Sequence, residues 1–133
     1  MSELPRLNGV IKALEEGKTA LTTFTAPGVE NAVTLAASSY DGVVFELEHN
    51  PYDIAQLRTD LQFMLNRKQI ADSGTVAPKV TPIVRIPPNG GELSQVFAKQ
   101  VLDVGVYGVV WPHVSTVEEA YNAVAACRYP RPK

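Results

Sequence analysis

Cysteine and histidine are scarce: the 133 residues include one cysteine, Cys127, and only two histidines. A single cysteine excludes a disulfide framework and a cysteine-based zinc site. Its place in a helical run of small residues predicts a packing role rather than a nucleophile. No apolar run approaches the roughly 20 residues that a membrane span needs, and Met1 to Arg6 do not form a charged and then apolar leader. We therefore expect a cytoplasmic protein with no membrane partner.

Clusters of basic residues are also lacking. The formal net charge is −2, and the lysines and arginines are scattered along the chain. Nucleic acids and anionic membranes require concentrated positive charge, so neither is expected as the main partner. The hydrophobic share of 45% and the charged share of 20% are those of an ordinary globular protein, and the length suits one domain.

Four short apolar stretches rich in β-branched residues predict β-strands near residues 20–24, 42–47, 81–86 and 108–111. Helical patterns follow them at residues 29–39, 54–67, 92–102 and 116–128, and an amphipathic helix over residues 5–16 precedes the first strand. Residues 71–79 are predicted to form a loop. Ser115 is expected to cap the last helix, with Glu118 as its capping-box partner.

Strands that alternate with helices predict an α/β fold with a parallel sheet in the order 1-2-3-4. The unit recurs roughly every 30 residues, which suits a (βα)4 half of a TIM (β/α)8 barrel of typically about 250 residues. A four-stranded flavodoxin-like or Rossmann-like sheet is the alternative on pattern alone. In each of these folds, sites are built in the loops after the strands.

Three ionisable side chains follow the second strand. Glu46 and Glu48 point the same way because side chains alternate along a strand, and His49 comes next on the loop. The three side chains could bind a metal ion or act as an acid/base pair. The alternative is that they are solvent-exposed residues at the edge of a strand and have no catalytic role. Pro51 and Asp53 then predict a turn and a helix N-cap.

The third and fourth strands add further candidates. Arg85 ends the third strand, where an unpaired charge is costly, so we expect an ion pair with Glu46 or Glu48, or a bidentate anchor for a substrate carboxylate. Asp103 lies just before the fourth strand, where a turn residue is the plainer interpretation.

The loop after the fourth strand begins with Trp111 and Pro112 and continues with His113. Trp111 suits packing or a pocket wall. His113 is either an ordinary loop residue or a ligand in the site.

Five segments, taken in order, resemble the HpcH/HpaI aldolase/citrate lyase family. They are Val-Phe-Glu-Leu-Glu-His49-Asn-Pro, Pro-Ile-Val-Arg85-Ile-Pro, Lys99-Gln-Val-Leu-Asp103-Val-Gly, Val-Val-Trp-Pro112 and Ala-Cys-Arg128-Tyr-Pro130. The segments Trp-Pro-His-Val and Tyr-Pro-Arg-Pro-Lys look like the branch that includes macrophomate synthase. The resemblance implies a (β/α)8 barrel and a lyase that requires Mg²⁺ or Mn²⁺. Such an aldolase cleaves or forms 4-hydroxy-2-oxo acids through a pyruvate enolate, or decarboxylates oxaloacetate.

The resemblance also implies roles for individual residues. His49 matches the catalytic histidine, and Asp103 matches the aspartate that pairs with it to move a proton. Arg85 matches the arginine that binds the carboxylate and ketone oxygen of pyruvate. Trp111 and Pro112 are expected on the substrate side.

The metal shell is expected to be incomplete. Glu48, with Glu46 beside it, matches the glutamate that holds metal-bound water. In the family, the two direct ligands, a Glu and an Asp, come from the fifth and sixth strands, and no counterpart is present here. Glu46 and Leu47 stand where the family more often has Asp and Gly.

We therefore expect residues 1–133 to be the N-terminal half of an aldolase-type barrel with no second domain. Its outer strands would have unpaired edges, so a homo-oligomer is expected. The resemblance implies a small 2-oxo acid, pyruvate or oxaloacetate, as the molecule bound in the site. The alternative function is a non-catalytic half-barrel that lacks the metal ligands and acts as an assembly module.

Overall fold

The computed structural model describes residues 6–91 and 93–129. Pro5, Glu92 and the proline-rich end from Pro130, which enter the predictions above, lie outside the described residues. Within this part of the chain, no helix is long and apolar enough to cross a membrane. The elements, in chain order, are α1 Gly9–Glu15, β1 Thr22–Thr25, α2 Val29–Ala36, β2 Gly42–Glu46, α3 Ile54–Met64, α4 Arg67–Ser73, β3 Thr81–Arg85, α5 Gln95–Asp103, β4 Val109–Val110 and α6 Val117–Ala126.

The four strands form one parallel sheet in the order β1-β2-β3-β4. This arrangement confirms the predicted α/β (βα)4 half-barrel and its strand order. Every residue of β2 is buried, as expected for a parallel strand that is covered on both faces. Val43 and Phe45 point to the helices, where the core also contains Ala32, Leu57, Leu61, Val84, Ala98 and Val101.

The opposite face of the sheet corresponds to the inside of a barrel. Side-chain alternation places Phe24, Val44, Glu46, Arg85 and Val110 on this face. Glu46 and Arg85 lie at its carboxyl end, directly opposite each other in the β2–β3 register. Phe24 is 55% exposed and Val110 37% exposed, so this inner face is open at the outer strands β1 and β4.

The amino-terminal end of the sheet is closed by α1. The backbone N–H of Gly9 donates to Oγ1 of Thr81 at 2.8 Å. A Cβ on Gly42 would lie 2.7 Å from Cγ2 of Val10, so only glycine allows α1 to pack this closely on β2. Since one end of the inner face is covered by a helix, the carboxyl end is the one available for a site.

The segment between α3 and β3 differs from the prediction. Residues 71–73 belong to α4 rather than to a loop, and α3 ends at Met64 rather than near Arg67. Asn66 has an extended backbone and caps α4, because its side chain accepts a hydrogen bond from the N–H of Gln69 at 2.9 Å. Gly74 then ends α4 in the left-handed conformation, with φ of 65°.

The capping box of α6 lies one residue later than predicted. Thr116, not Ser115, is the N-cap, and Glu119, not Glu118, is its partner. Thr116 has the extended backbone that an N-cap needs, and its hydroxyl accepts from the N–H of Glu119 at 3.1 Å. Ser115 instead donates its N–H to the Glu119 carboxylate at 2.7 Å.

Asp60 is a buried polar residue that the sequence pattern did not single out. It is fully buried on α3, where its Oδ2 accepts from the N–H of Gly28 at 2.8 Å and its Oδ1 from Nε2 of Gln56 at 2.7 Å. Gly28 is the N-cap of α2 and has no side chain to satisfy the first turn. Asp60 therefore joins α3 to the start of α2.

Replacing Asp60 with Ala should lower the free energy of unfolding by about 1–3 kcal/mol, because the N–H of Gly28 loses its acceptor. Urea denaturation measures the loss. Thr59→Ala is the control, since Thr59 is exposed and bonds only within its own helix. Equal stabilities for the two variants would show that Asp60 does not join the helices.

Candidate active site

The candidate site lies where β2, β3 and β4 end side by side. Glu46 is the last residue of β2 and pairs in register with Arg85, the last residue of β3, which pairs in turn with Val110. The loops after β2 and β4 bring further side chains to the same edge. Polar groups from three strand ends thus meet on the inner face of the half-barrel.

Arg85 occupies the centre of the cluster. Its Nη2 forms an ion pair with Oε2 of Glu46, and its Nε lies 3.0 Å from Oε2 of Glu48. The guanidinium carbon lies 4.8 Å from the centroid of the Phe24 ring, within the range of a cation–π contact. Arg85 therefore contacts both glutamates, and the ion-pair alternative from the sequence is observed.

One buried donor of Arg85 has no hydrogen-bond partner among the described residues. Its Nε is buried but makes no hydrogen bond, because the N–H is not aimed at Glu48 despite the short distance. The Nδ2 of Asn89 is the other buried donor without a partner in this part of the chain. An unsatisfied buried N–H is costly, so each is a place where an external acceptor would be stabilised.

The Glu46 carboxylate is held in its charged form. Burial alone would raise its pKa. This effect is outweighed by the hydrogen bond from Arg85, by the N–H groups of Glu48 at 2.6 Å and His49 at 3.3 Å, and by the charge of Arg85, so the pKa of Glu46 is lowered. The hydrogen bond from Arg85 to Glu46 likewise raises the pKa of Arg85. Both partners are therefore ionised at neutral pH.

Two imidazoles flank the second carboxylate. The Glu48 side chain is only 3% exposed, and its Oε1 lies 2.8 Å from Nε2 of His113. Its Oε2 lies 3.7 Å from Nε2 of His49, close enough for charge attraction but too far for a hydrogen bond. Both rings are about three-quarters exposed. Sequence reasoning left His113 between a loop residue and a ligand, and the fold brings it into the cluster.

Asp103 does not reach this edge within one copy of the chain. It is exposed and ends α5, the helix that returns from the carboxyl end of β3 to the start of β4. Shortly after it, the N–H of Tyr107 donates to the carbonyl of Pro82, near the start of β3. The His49–Asp103 pairing implied by the resemblance is therefore not formed in one copy, because the two residues lie at opposite ends of the sheet.

Trp111 and Pro112 support the site from behind. Trp111 packs against the core between sheet and helices, and its indole N–H donates to Oδ1 of Asn89 at 2.9 Å. Pro112 is buried. This placement matches the packing interpretation of Trp111, and contact of either residue with substrate stays a prediction. Cys127 is half-buried against the core, and burial raises the pKa of its thiol.

The described residues do not form a metal site by themselves. No three His, Cys, Asp or Glu side chains in residues 6–91 and 93–129 are placed to hold a metal ion. The carboxylates of Glu46 and Glu48 face Arg85. The cluster contains two carboxylates and one guanidinium. A further positive charge would therefore strengthen the attraction for an anionic substrate.

A surface cavity of about 490 Å³ lies away from these groups, between α2 and the α3–α4 region. Its lining includes Val33, Phe63 and Arg67 but no carboxylate or imidazole. The candidate site is therefore the cluster at the open strand ends rather than this cavity.

Comparison with known proteins gives concordant matches. Residues 26–133 match the sequence profile of the HpcH/HpaI aldolase/citrate lyase family. A protein from Rhizobium etli named pyruvate aldolase is 35% identical over 130 residues, which is 96% of this chain and 44% of that protein.

Solved structures agree. An HpcH/HpaI aldolase/citrate lyase family protein from Burkholderia cenocepacia superposes with a TM-score of 0.72 at 25% identity, covering 94% of this chain and 44% of that one. Macrophomate synthase gives a TM-score of 0.60 at 26% identity, covering 84% of this chain and 34% of that one. The chain thus spans less than half the length of the relatives that it matches.

Replacing Glu46 with Gln should lower the free energy of unfolding at pH 7 by about 1 kcal/mol, because the amide accepts a hydrogen bond but does not pair with the charge of Arg85. The pKa of Glu46 is lower in the folded chain than the ordinary value of 4.5. The stabilisation is therefore complete above pH 4.5 and declines as the pH falls through the lower folded value.

Urea denaturation of parent and variant between pH 7 and pH 3 measures this difference. Glu118→Gln is the control, since Glu118 is exposed and has no hydrogen-bond partner among the described side chains. A gap between parent and Glu46→Gln that does not narrow in acid would contradict the assignment.

Proposed function

We propose a function for this chain from its family: the chain belongs to the HpcH/HpaI aldolase/citrate lyase family, and we infer that it contributes the substrate-side half of an aldolase site. The reaction is cleavage or formation of a 4-hydroxy-2-oxo acid through a pyruvate enolate, or decarboxylation of oxaloacetate. The observation that carries the proposal is the meeting of Arg85, Glu46 and Glu48 at adjacent strand ends. The name of the Rhizobium relative, pyruvate aldolase, supports the substrate class.

Arg85 is the proposed anchor for the 2-oxo acid. Its side chain is fixed by Glu46 on one side and by the Phe24 ring on the other, so its donors have a defined direction. The N–H on Nε has no acceptor among the described residues. A carboxylate or ketone oxygen is the kind of acceptor that a guanidinium binds in a planar, directional way. Charge that develops on the ketone oxygen as the enolate forms would be stabilised by the same group.

His49 is the proposed proton carrier, because its exposed imidazole lies on the loop beside the cluster. In the cleavage direction, the base takes the proton of the C4 hydroxyl and the C3–C4 bond breaks. The bond electrons form the enolate of pyruvate, the aldehyde leaves, and the enolate then takes a proton on C3. If Asp103 orients His49, as the resemblance implies, it must come from a neighbouring copy.

We include a divalent metal in the proposal because the family is generally metal-dependent. The described residues do not supply three ligands, and Glu46 and Glu48 face Arg85. Direct ligands for Mg²⁺ or Mn²⁺ would therefore come from outside these residues. Two carboxylates beside one guanidinium are compatible with a cation nearby, with Glu48 and Glu46 as acceptors for its bound water.

Completion of the barrel is part of the proposal, with residues 1–133 as its N-terminal half. β1 and β4 each pair on one side only, and Phe24 and Val110 are exposed on the inner face. On α6, Val117, Tyr121 and Val124 form an apolar stripe with exposures of 80%, 78% and 57%. These surfaces favour association with another half-barrel, as a homo-oligomer or within a longer protein, in the cytoplasm.

Replacing Arg85 with Lys should weaken binding of oxalate, a mimic of the pyruvate enolate, by roughly tenfold or more, because an ammonium keeps the charge but loses the planar donors. Isothermal titration calorimetry measures the affinity. Arg58→Lys, on the exposed face of α3, is the matched control. Should Arg85→Lys bind oxalate like the parent, Arg85 is only an ion-pair partner of the glutamates.

Replacing His49 with Ala should spare oxalate binding but lower turnover by about 10²–10⁴-fold, the usual contribution of general acid–base catalysis. Oxaloacetate decay and aldol cleavage are measured with Mg²⁺ or Mn²⁺ in the oligomeric fraction. A parent rate equal to that of free metal would instead indicate a non-catalytic half-barrel.

Asp103→Asn is the companion variant. Within one copy, Asp103 and His49 lie at opposite ends of the sheet, so Asp103 cannot orient the imidazole. A loss of turnover in this variant would therefore show that a neighbouring copy brings its aspartate to His49.

A further inference from the structure

We propose that His113 is a positioning residue of the site, which acts by holding the Glu48 carboxylate so that Arg85 keeps a donor for substrate. This inference rests on the proposed function of Arg85. It assigns a role to a residue outside the group that the family resemblance singled out. The charged or titratable groups around Glu48 are Glu46, Arg85, His49 and His113.

The two oxygens of Glu48 have different partners. Oε1 lies 2.8 Å from Nε2 of His113, while Oε2 faces Nε of Arg85 at 3.0 Å and Nε2 of His49 at 3.7 Å. The contact with His113 is the only one of these three with hydrogen-bond geometry. His113 therefore fixes the rotation of a carboxylate that is otherwise held only by charge attraction.

The backbone of His113 is shaped to deliver this contact. Its φ is 57°, in the left-handed region that residues other than glycine adopt at a cost. Buried Pro112 precedes it and fixes the direction in which the chain enters the turn. Ser115 and Thr116 hold the far end of the loop, since both donate their N–H groups to the Glu119 carboxylate. His113 therefore has a strained backbone that is fixed on both sides, and its ring contacts the buried carboxylate of Glu48. We take this combination as evidence for a specific role in the site.

The consequence for Arg85 follows from the geometry. A carboxylate that rotates freely beside a guanidinium favours the bidentate arrangement, in which two parallel N–H groups are used. Glu46 already occupies Nη2 of Arg85. If Oε1 of Glu48 were released from His113, both oxygens of Glu48 could turn to the remaining donors of Arg85. His113 thereby prevents an internal carboxylate from taking the place of the substrate.

Nuclear magnetic resonance of the histidine rings tests whether His113 holds Glu48. The chain contains only two, so ¹⁵N-histidine labelling gives two imidazoles, which His49→Gln and His113→Gln assign. Glu48→Gln should change the ring-nitrogen shifts and tautomer of His113, because its partner becomes a neutral amide. His113→Gly should shift the ring signals of His49, since Glu48 can then rotate. Val114→Ala, the exposed neighbour, should change neither ring.

Oxalate calorimetry measures the consequence. His113→Gly should weaken binding roughly fivefold or more, although glycine relieves the left-handed backbone. His113→Gln should restore most of the affinity, because its amide can donate to Oε1 of Glu48. A role in loop packing alone would not give this rescue.

The proposal is overturned if His113→Gly leaves the His49 signals and the oxalate affinity unchanged, or if Glu48→Gln does not affect the His113 ring. A parent chain that binds no oxalate counts against the proposed function of Arg85. In that case the spectra of the two imidazoles still decide whether His113 positions Glu48.

Discussion

The ion pair between Arg85 and Glu46 is the constraint on which the carboxyl edge of the sheet depends. The parallel register places the two residues opposite each other on neighbouring strands, with the Glu46 side chain only 11% exposed. An isolated charge at that depth is costly, so each residue stabilises the charged form of the other. The same carboxylate accepts the N–H groups of Glu48 and His49, which fixes the first turn of the loop after β2.

The remaining parts of the site are arranged around this pair. Because the β2 loop turns at Glu46, the carboxylate of Glu48 returns toward Arg85, and the β4 loop reaches it through His113. On the inner face, the three strand ends are thereby joined through polar side chains. This arrangement makes the positions of the side chains precise while leaving the edge open to a small molecule.

Among the described residues, no further element covers the inner face at the carboxyl end of the sheet. The inner face exposes Phe24 and Val110, and in this part of the chain each outer strand pairs on one side only. The cluster also contains two carboxylates for one guanidinium. Association with a further half-barrel, as proposed above, would cover this face and supply the cationic or metal-binding groups. The contacts of Arg85 with Glu46 and of Glu48 with His113 are already made within one copy of the chain.

The sequence by itself determined the secondary structure and its order, because strand and helix periodicity are local properties that tertiary packing here did not override. It also placed Glu46 and Arg85 at strand ends, since alternation and burial fix those positions. Where two local signals lay close together, it erred by a few residues: Asn66 begins an extra helix, and Thr116 rather than Ser115 has the extended backbone of a cap.

Only the tertiary structure decided that Glu48 meets His113 and that Asp60 meets the backbone N–H of Gly28. Glu48 and His113 are 65 residues apart, and Gly28 and Asp60 are 32 apart, so no local pattern could pair them. The family resemblance supplied a role for Asp103 but not a position, and the direction of α5 puts that residue at the other end of the sheet from His49. Contacts across strands depend on register and loop geometry, and these are fixed only when the whole sheet has formed.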